Sequence, residues 1–227
     1  MRRLPEVTQP STAIAGSADR FPVRRIYCVG QNYAAHAREM GSDPDRKPPF
    51  FFTKPPDAVV PTGSRLPYPA LTRDFQHEVE LVVALGDGGA NVAAAEAMAL
   101  IYGWGVGIDL TRRDLQAEAK QQGRPWDMAK GFDQSAPLAP LVLGAPPLTA
   151  AIQLQVNGHL KQSGDLADMI WTVSEVIANL STYVRLAPGD LIFTGTPSGV
   201  GPIRAGDTVR GSIQGAEPIV VVFQSAI

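Results

Sequence analysis

The sequence predicts a β-rich α+β domain with short helices at its edges. Three observations support this. The chain holds 22 glycines and 20 prolines in 227 residues, which is many turns but below the level of a disordered chain. Its apolar residues fall in short runs bounded by turn residues, as at 26–30, 191–194 and 219–223. Helical signatures are few and short. With 44% hydrophobic residues the chain can bury a sizeable core. No internal repeat or low-complexity linker divides it, so residues 1–10 read as a tail and 11–227 as one domain.

The elements are expected in this order. An edge strand lies near 12–15, and a compact apolar strand at 26–30 ends on Gly30. Asn32 can cap a short helix over 33–40, with Gly41 as its stop. Residues 42–49 form a charged loop, and 50–53 a buried aromatic strand closed by Lys54, Pro55 and Pro56. Turns fill 61–72. Residues 74–83 read as a strand with one apolar face, ending at the glycine turn 86–89. Asn91 can cap an alanine-rich helix from 92 to about 102. A strand follows at 103–110, and its glycines imply a bulge or a close backbone approach. A charged helix over 111–121 stops at Gly123, and the segment 126–132 carries Lys130. Residues 137–147 are apolar but broken by prolines, which suits a connector. Asn157-Gly158 marks a tight hairpin within 152–161. Thr172-Val173-Ser174-Glu175 is a capping box that opens a helix to about 183. A buried strand at 191–194, a glycine-rich loop at 195–202 and two final strands complete the chain.

Charge and cysteine usage exclude several functions. The net charge is -2 with no long basic run, so nucleic acid and anionic membranes have no electrostatic support. No window approaches a membrane span, and the first residues lack the apolar core of a signal peptide. The one cysteine, Cys28, cannot form an internal disulfide, which suits a reducing, cytoplasmic setting. It reads as a buried, inert thiol. The glycine-rich loop lacks the ending of a phosphate-binding loop, but it could offer backbone N–H groups to a carboxylate. No GxSxG motif supports a serine hydrolase.

The chemistry centres on Glu78 and Glu80. Side chains alternate along a strand, so both carboxylates share one face. Spacing leaves two readings open: a solvated polar face, or two ligands of a hard divalent metal. Asp109, at the end of the glycine-spaced strand, could complete such a cluster from a neighbouring strand. Three carboxylates without nearby Cys or His suit Mg²⁺ or Mn²⁺ better than zinc. Lys130 sits among apolar residues and needs a negative partner if buried. His36 and Glu39 lie three apart on one helix face, either as a surface pair or as a base with its orienting carboxylate. His77 points away from the two glutamates, and His159 falls in the hairpin as a solvated residue.

Several motifs occur in a characteristic order: 28–36 (Cys-Val-Gly-Gln-Asn-Tyr-Ala-Ala-His), 52–55, 77–81, 107–114, 123–126, 129–133, 156–158 and 194–201. In these the chain resembles the fumarylacetoacetate hydrolase family over roughly 21–223. It is most similar to the small acylpyruvate hydrolases, and among them to bacterial fumarylpyruvate hydrolases. The resemblance implies a mixed β-sheet roll with short peripheral helices, in which 11–227 is a single catalytic domain, usually a homodimer. It implies Mg²⁺ (or Mn²⁺) on Glu78, Glu80 and Asp109, and a water-activating dyad of His36 and Glu39 on a lid segment. It assigns Lys130 to the active site, and Arg113, Gln116 and Thr196 to contacts with a small 2-oxo acid. Gln31 departs from the family's usual Arg.

The implied reaction is hydrolysis of a 3-acylpyruvate, with oxaloacetate decarboxylation or keto–enol tautomerisation as alternatives on the same metal site. Hydrolysis needs water to attack one carbonyl while an enolate departs, which a metal and a base can each assist. A β-rich binding module that uses the acidic cluster only structurally is the third reading.

Overall fold

Turn residues divide the chain into short strands joined by brief helices. The computed structural model describes residues 4, 6–39 and 47–225. Its first half runs β1 (Ser11–Ala13), β2 (Arg20–Pro22), β3 (Arg25–Gly30), α1 (Ala34–Glu39), β4 (Phe50–Lys54), β5 (Val59–Pro61), β6 (Arg65–Pro67), β7 (Phe75–His77), β8 (Val79–Leu85), α2 (Ala94–Ala97) and β9 (Ile101–Ile108). The second half runs β10 (Thr111–Arg112), α3 (Arg113–Gln121), α4 (Asp127–Lys130), β11 (Ala136–Leu138), β12 (Val142–Leu143), β13 (Ala151–Val156), β14 (His159–Asp165), α5 (Val173–Tyr183), β15 (Asp190–Phe193), β16 (Gly201–Pro202), β17 (Thr208–Ile213) and β18 (Ile219–Gln224). The expected helix end at Met40, its stop at Gly41 and part of the charged loop lie outside the described residues.

An eight-stranded mixed sheet is the frame, in the order β4-β3-β15-β8-β9-β11-β5 with β12 pairing β9. A five-stranded sheet, β14-β13-β17-β18-β6, packs over it. A three-stranded sheet, β10-β7-β16, closes one end. This is the β-rich curled sheet with few short helices that the sequence leads one to expect. None of the helices among the described residues is long and apolar enough to cross a membrane.

The core has two layers, and β8 serves both. Val79, Leu81 and Val83 face the five-stranded sheet and α5, while Val82 and Ala84 face Phe193, Leu191 and Leu138 on the other side. Of the two readings left open for the Glu78/Glu80 face, the solvated one fails, because every residue of β8 is buried. Glu78 and Glu80 extend the Val82–Ala84 row, so two carboxylates lie at the end of an apolar layer. The expected single strand over 74–83 is interrupted at Glu78. There the chain passes from the three-stranded sheet to the eight-stranded one.

Other departures have local causes. Strand β4 is the sheet edge, so Phe50 is exposed and only Lys54 is fully buried. Asn91 adopts φ +53° and caps nothing. The alanine-rich stretch forms only one α-turn and a 3₁₀ turn at Met98–Leu100, then extends from Ile101 as β9. The supposed connector at 137–147 holds β11 and β12. It runs over the glycine face of β9, where a Cβ at Gly103 would lie 2.6 Å from the Val142 carbonyl. The close approach expected from those glycines is therefore what lets this segment pair. The hairpin turn at Asn157-Gly158 and the capping box at Thr172 form as expected.

Candidate active site

The β8–β9 register assembles the carboxylates. The two strands pair antiparallel with Val79 opposite Ile108, and the Asp109 N–H donates to the Glu78 carbonyl at 2.8 Å. The residue after β9 therefore meets the residue before β8. Glu78, Glu80 and Asp109 each offer an oxygen within 4.8 Å of the others, and all three are buried. Oxygens bound to one Mg²⁺ or Mn²⁺ lie no more than about 5 Å apart.

Three cations balance this cluster. Lys130 Nζ donates to Asp109 (2.7 Å), Glu78 (2.9 Å) and the Thr111 hydroxyl (2.6 Å). Arg113 donates to the other Glu78 oxygen, to Gln116 (2.6 Å) and to Gln76 (2.8 Å). Lys54 Nζ lies 2.8 Å from Asp109 Oδ1, but its hydrogen bonds go to the carbonyls of Leu110 and Lys130. The buried Asp109 Oδ1 has that ion pair and no further hydrogen bond. A carboxylate oxygen with acceptor capacity to spare, in a cluster of three, is what a hard cation would complete.

Glu78 and Glu80 are shifted in opposite directions. Burial, then Asp109 and Glu78, push the Glu80 carboxyl well above the usual range, although the Gly195 N–H donates to it at 2.7 Å. Burial alone would also raise Glu78, but Lys130 and Arg113 hold it well below the usual range. Burial would lower Lys130, yet Asp109 and Glu78 keep it raised and charged. A divalent ion would offset the burial and the carboxylate repulsion that raise Glu80. The residues present therefore fit such an ion.

The helix α1 stands across the cleft. His36 is buried, and its Nδ1 lies 3.3 Å from Glu39. The partly exposed Glu39 accepts from the Gly199 N–H at 3.1 Å, which ties α1 to the glycine-rich loop. Asn32 does not cap this helix. Its side chain donates to the carbonyls of Trp171 (2.9 Å) and Thr194 (2.8 Å) and accepts from the Trp171 N–H (2.7 Å). At Gly195 φ is +98°, and a Cβ would lie 2.7 Å from Asn32 Cβ, so glycine is required where the two loops cross.

One cleft gathers most of the expected residues. His36, Glu78, Glu80, Arg113, Gln116, Lys130 and Thr196 line it, together with Gln31, Phe50, Phe52, Lys120 and Trp126. Thr196 is held from behind: its hydroxyl donates to the Val79 carbonyl and accepts from Gln162, each at 2.8 Å. Its hydrogen is therefore spent within the protein. Gln162 also accepts from the Val79 N–H and pairs with His77 at 3.0 Å, so His77 faces away from the carboxylate cluster. Cys28 is buried, and burial pushes its thiol well up, so it is inert.

Sequence reasoning missed Lys54 and Gln162. Lys54 lies in a motif that carried the resemblance, yet as the residue closing a strand before two prolines it receives no chemical role from the sequence. Gln162 is a polar residue facing inward on a strand whose Leu160 faces outward, the reverse of the usual alternation.

Residues 25–222 match the Fumarylacetoacetate (FAA) hydrolase C-terminal family. The chain belongs to the fumarylacetoacetate hydrolase family. The fumarylpyruvate hydrolase of Pseudomonas aeruginosa, solved with Mn²⁺ and pyruvate, superposes with a TM-score of 0.96. It is 47% identical, covering 99% of this chain and 100% of that one. Fumarylpyruvate hydrolase of Ralstonia sp is 45% identical over 172 residues, 75% of this chain and 90% of the relative. Oxaloacetate tautomerase YcgM of Escherichia coli is 39% identical over 199 residues, 86% of this chain and 90% of the relative. Relatives of this fold and identity thus include both hydrolases and tautomerases, and the chain is an enzyme of a family with metal-dependent members.

Proposed function

We propose that the protein hydrolyses the C–C bond of a 3-acylpyruvate, with fumarylpyruvate, giving fumarate and pyruvate, as the leading substrate. His36 carries this reading. It is a buried imidazole lining the same cleft as Glu78 and Glu80, and Glu39 engages its Nδ1, so Nε2 is the base. Decarboxylation and tautomerisation need no activated water, whereas hydrolysis does. The fumarylpyruvate hydrolases among the relatives support the same substrate class.

Glu78, Glu80 and Asp109 would hold Mg²⁺ or Mn²⁺, which would supply Lewis-acid stabilisation of a 2-oxo acid's enolate. Three carboxylates and three cations leave the protein's own groups close to neutral. His36 takes a proton from water as the water oxygen bonds to the acyl carbonyl carbon. The C–C bond then breaks, its electron pair enters the pyruvate enolate, and a proton on carbon completes pyruvate. The acyl half leaves as a carboxylate. Arg113 holds Glu78 and Gln116 in the cleft wall, and Lys130 bridges Glu78 and Asp109. Residues 11–227 act in this reading as one catalytic domain, in a homodimer.

The test is pyruvate release from fumarylpyruvate by purified protein, stripped of metal and then given Mg²⁺ or Mn²⁺. Release that requires the ion is expected; a metal-loaded protein that releases none overturns the reading. The identity to an oxaloacetate tautomerase favours a second reading, enol–keto exchange of oxaloacetate in the same cleft. A kcat/KM for oxaloacetate above that for fumarylpyruvate would select it.

A further inference from the structure

We infer that Lys120 selects acyl chains that end in a carboxylate. The inference rests on the acylpyruvate reading above and extends it to the far end of the substrate. Arg113, Gln116 and Lys120 are spaced i, i+3 and i+7 on α3, so they share one helix face. All three line the cleft. Arg113 bonds Glu78 and Gln116 is buried, whereas Lys120 is exposed. The face thus runs outward from the metal ligands to solvent. A rise of 1.5 Å per residue carries Lys120 roughly 10 Å beyond Arg113 along the helix.

The aromatic residues that line the same cleft suit a flat, conjugated chain. Phe50 and Phe52 alternate onto one side of β4, and Trp126 meets Phe50 edge-on at 5.5 Å and Phe52 at 5.9 Å. Aromatic faces of this kind receive planar unsaturated groups. The two carboxyl carbons of extended fumarylpyruvate are roughly 7–8 Å apart by ordinary bond lengths. A chain whose oxo acid end lies at the carboxylate cluster would therefore bring its second carboxylate toward the cleft mouth. Among the described residues that line the cleft, Lys120 is the cation left for it. Arg113 and Lys130 are committed to Glu78 and Asp109, whereas Lys120 has no ion-pair partner among the described residues. Lys120 also lies in the last turn of α3, where a cation favours the helix dipole. That role accounts for stability but not for substrate choice.

The experiment measures discrimination. Mn²⁺-loaded His36→Ala protein, which should bind without turning over, is titrated calorimetrically with fumarylpyruvate and with crotonylpyruvate, whose methyl group replaces the far carboxylate. Adding Lys120→Gln should lower the fumarylpyruvate-to-crotonylpyruvate affinity ratio by about tenfold, the scale of one charged hydrogen bond. Lys120→Arg should restore most of it. An unchanged ratio overturns the inference, as does a fall in melting temperature with the ratio intact, which marks a purely structural lysine. Pyruvate release by the wild type is followed in parallel. A shifted ratio without pyruvate release would overturn the hydrolase reading and leave the acyl-end selection standing.

Discussion

The carboxylate cluster and the helix carrying His36 are built by opposite means. Glu80 lies on β8, and Glu78 and Asp109 flank the paired ends of β8 and β9; each contacts groups that are themselves buried. Their positions follow from sheet register, and Lys130, Lys54 and Arg113 make the network mutually dependent. Helix α1 has six residues and is fixed mainly at its ends, by Asn32 on one side and by Glu39 on Gly199 on the other. An isolated helix that short has no stability of its own. Damage to the cluster should therefore register in folding, and damage to the helix in rate.

The largest effect is expected at Lys130. Lys130→Ala leaves Glu78 and Asp109 buried without their shared cation, and removal of one partner of such a network costs about 3–5 kcal/mol. Denaturant unfolding of the metal-free protein measures it. A loss under about 1 kcal/mol, the scale of an exposed pair, would break the contrast.

His36→Ala probes the other side. Turnover of fumarylpyruvate should fall about 10²- to 10⁴-fold, the scale of a lost general base, while Mn²⁺ affinity and melting temperature hold. A drop in metal affinity alongside would mean that helix and cluster are one unit. Asn32→Ala lies between the two. It strips partners from the Trp171 and Thr194 backbone groups, so about 1–3 kcal/mol of stability should go, together with part of the turnover.

The smallest effect is in pH. The folded value of Glu80 lies above its unfolded value, so in the metal-free protein it stabilises the fold below the ordinary carboxylate range. That contribution fades as pH rises through the raised value. Metal binding must displace this proton, so affinity should climb with pH over the same window. Calorimetry in buffers of different ionisation heat should show proton release on binding Mn²⁺; none would mean that Glu80 is already ionised.

Much of this was legible locally. Period-two alternation sets Glu78 and Glu80 on one face, the Asn-Gly turn sets a hairpin, and Thr172 with Glu175 sets a helix start. These depend on backbone periodicity and short-range hydrogen bonds, which neighbouring residues specify by themselves. The ordered motifs added the family. Local pattern failed where packing overrode propensity. The alanine-rich stretch after Asn91 yields early to β9, and the proline-broken segment at 137–147 pairs because glycines on β9 admit it. Asn32, an expected cap, instead joins two loops distant in sequence. Only the tertiary structure brings Asp109 to Glu78, Lys54 to Asp109 and His36 to the same cleft. Those meetings depend on strand register, and register is fixed by burying the whole two-layer core at once, not by any residue near the site.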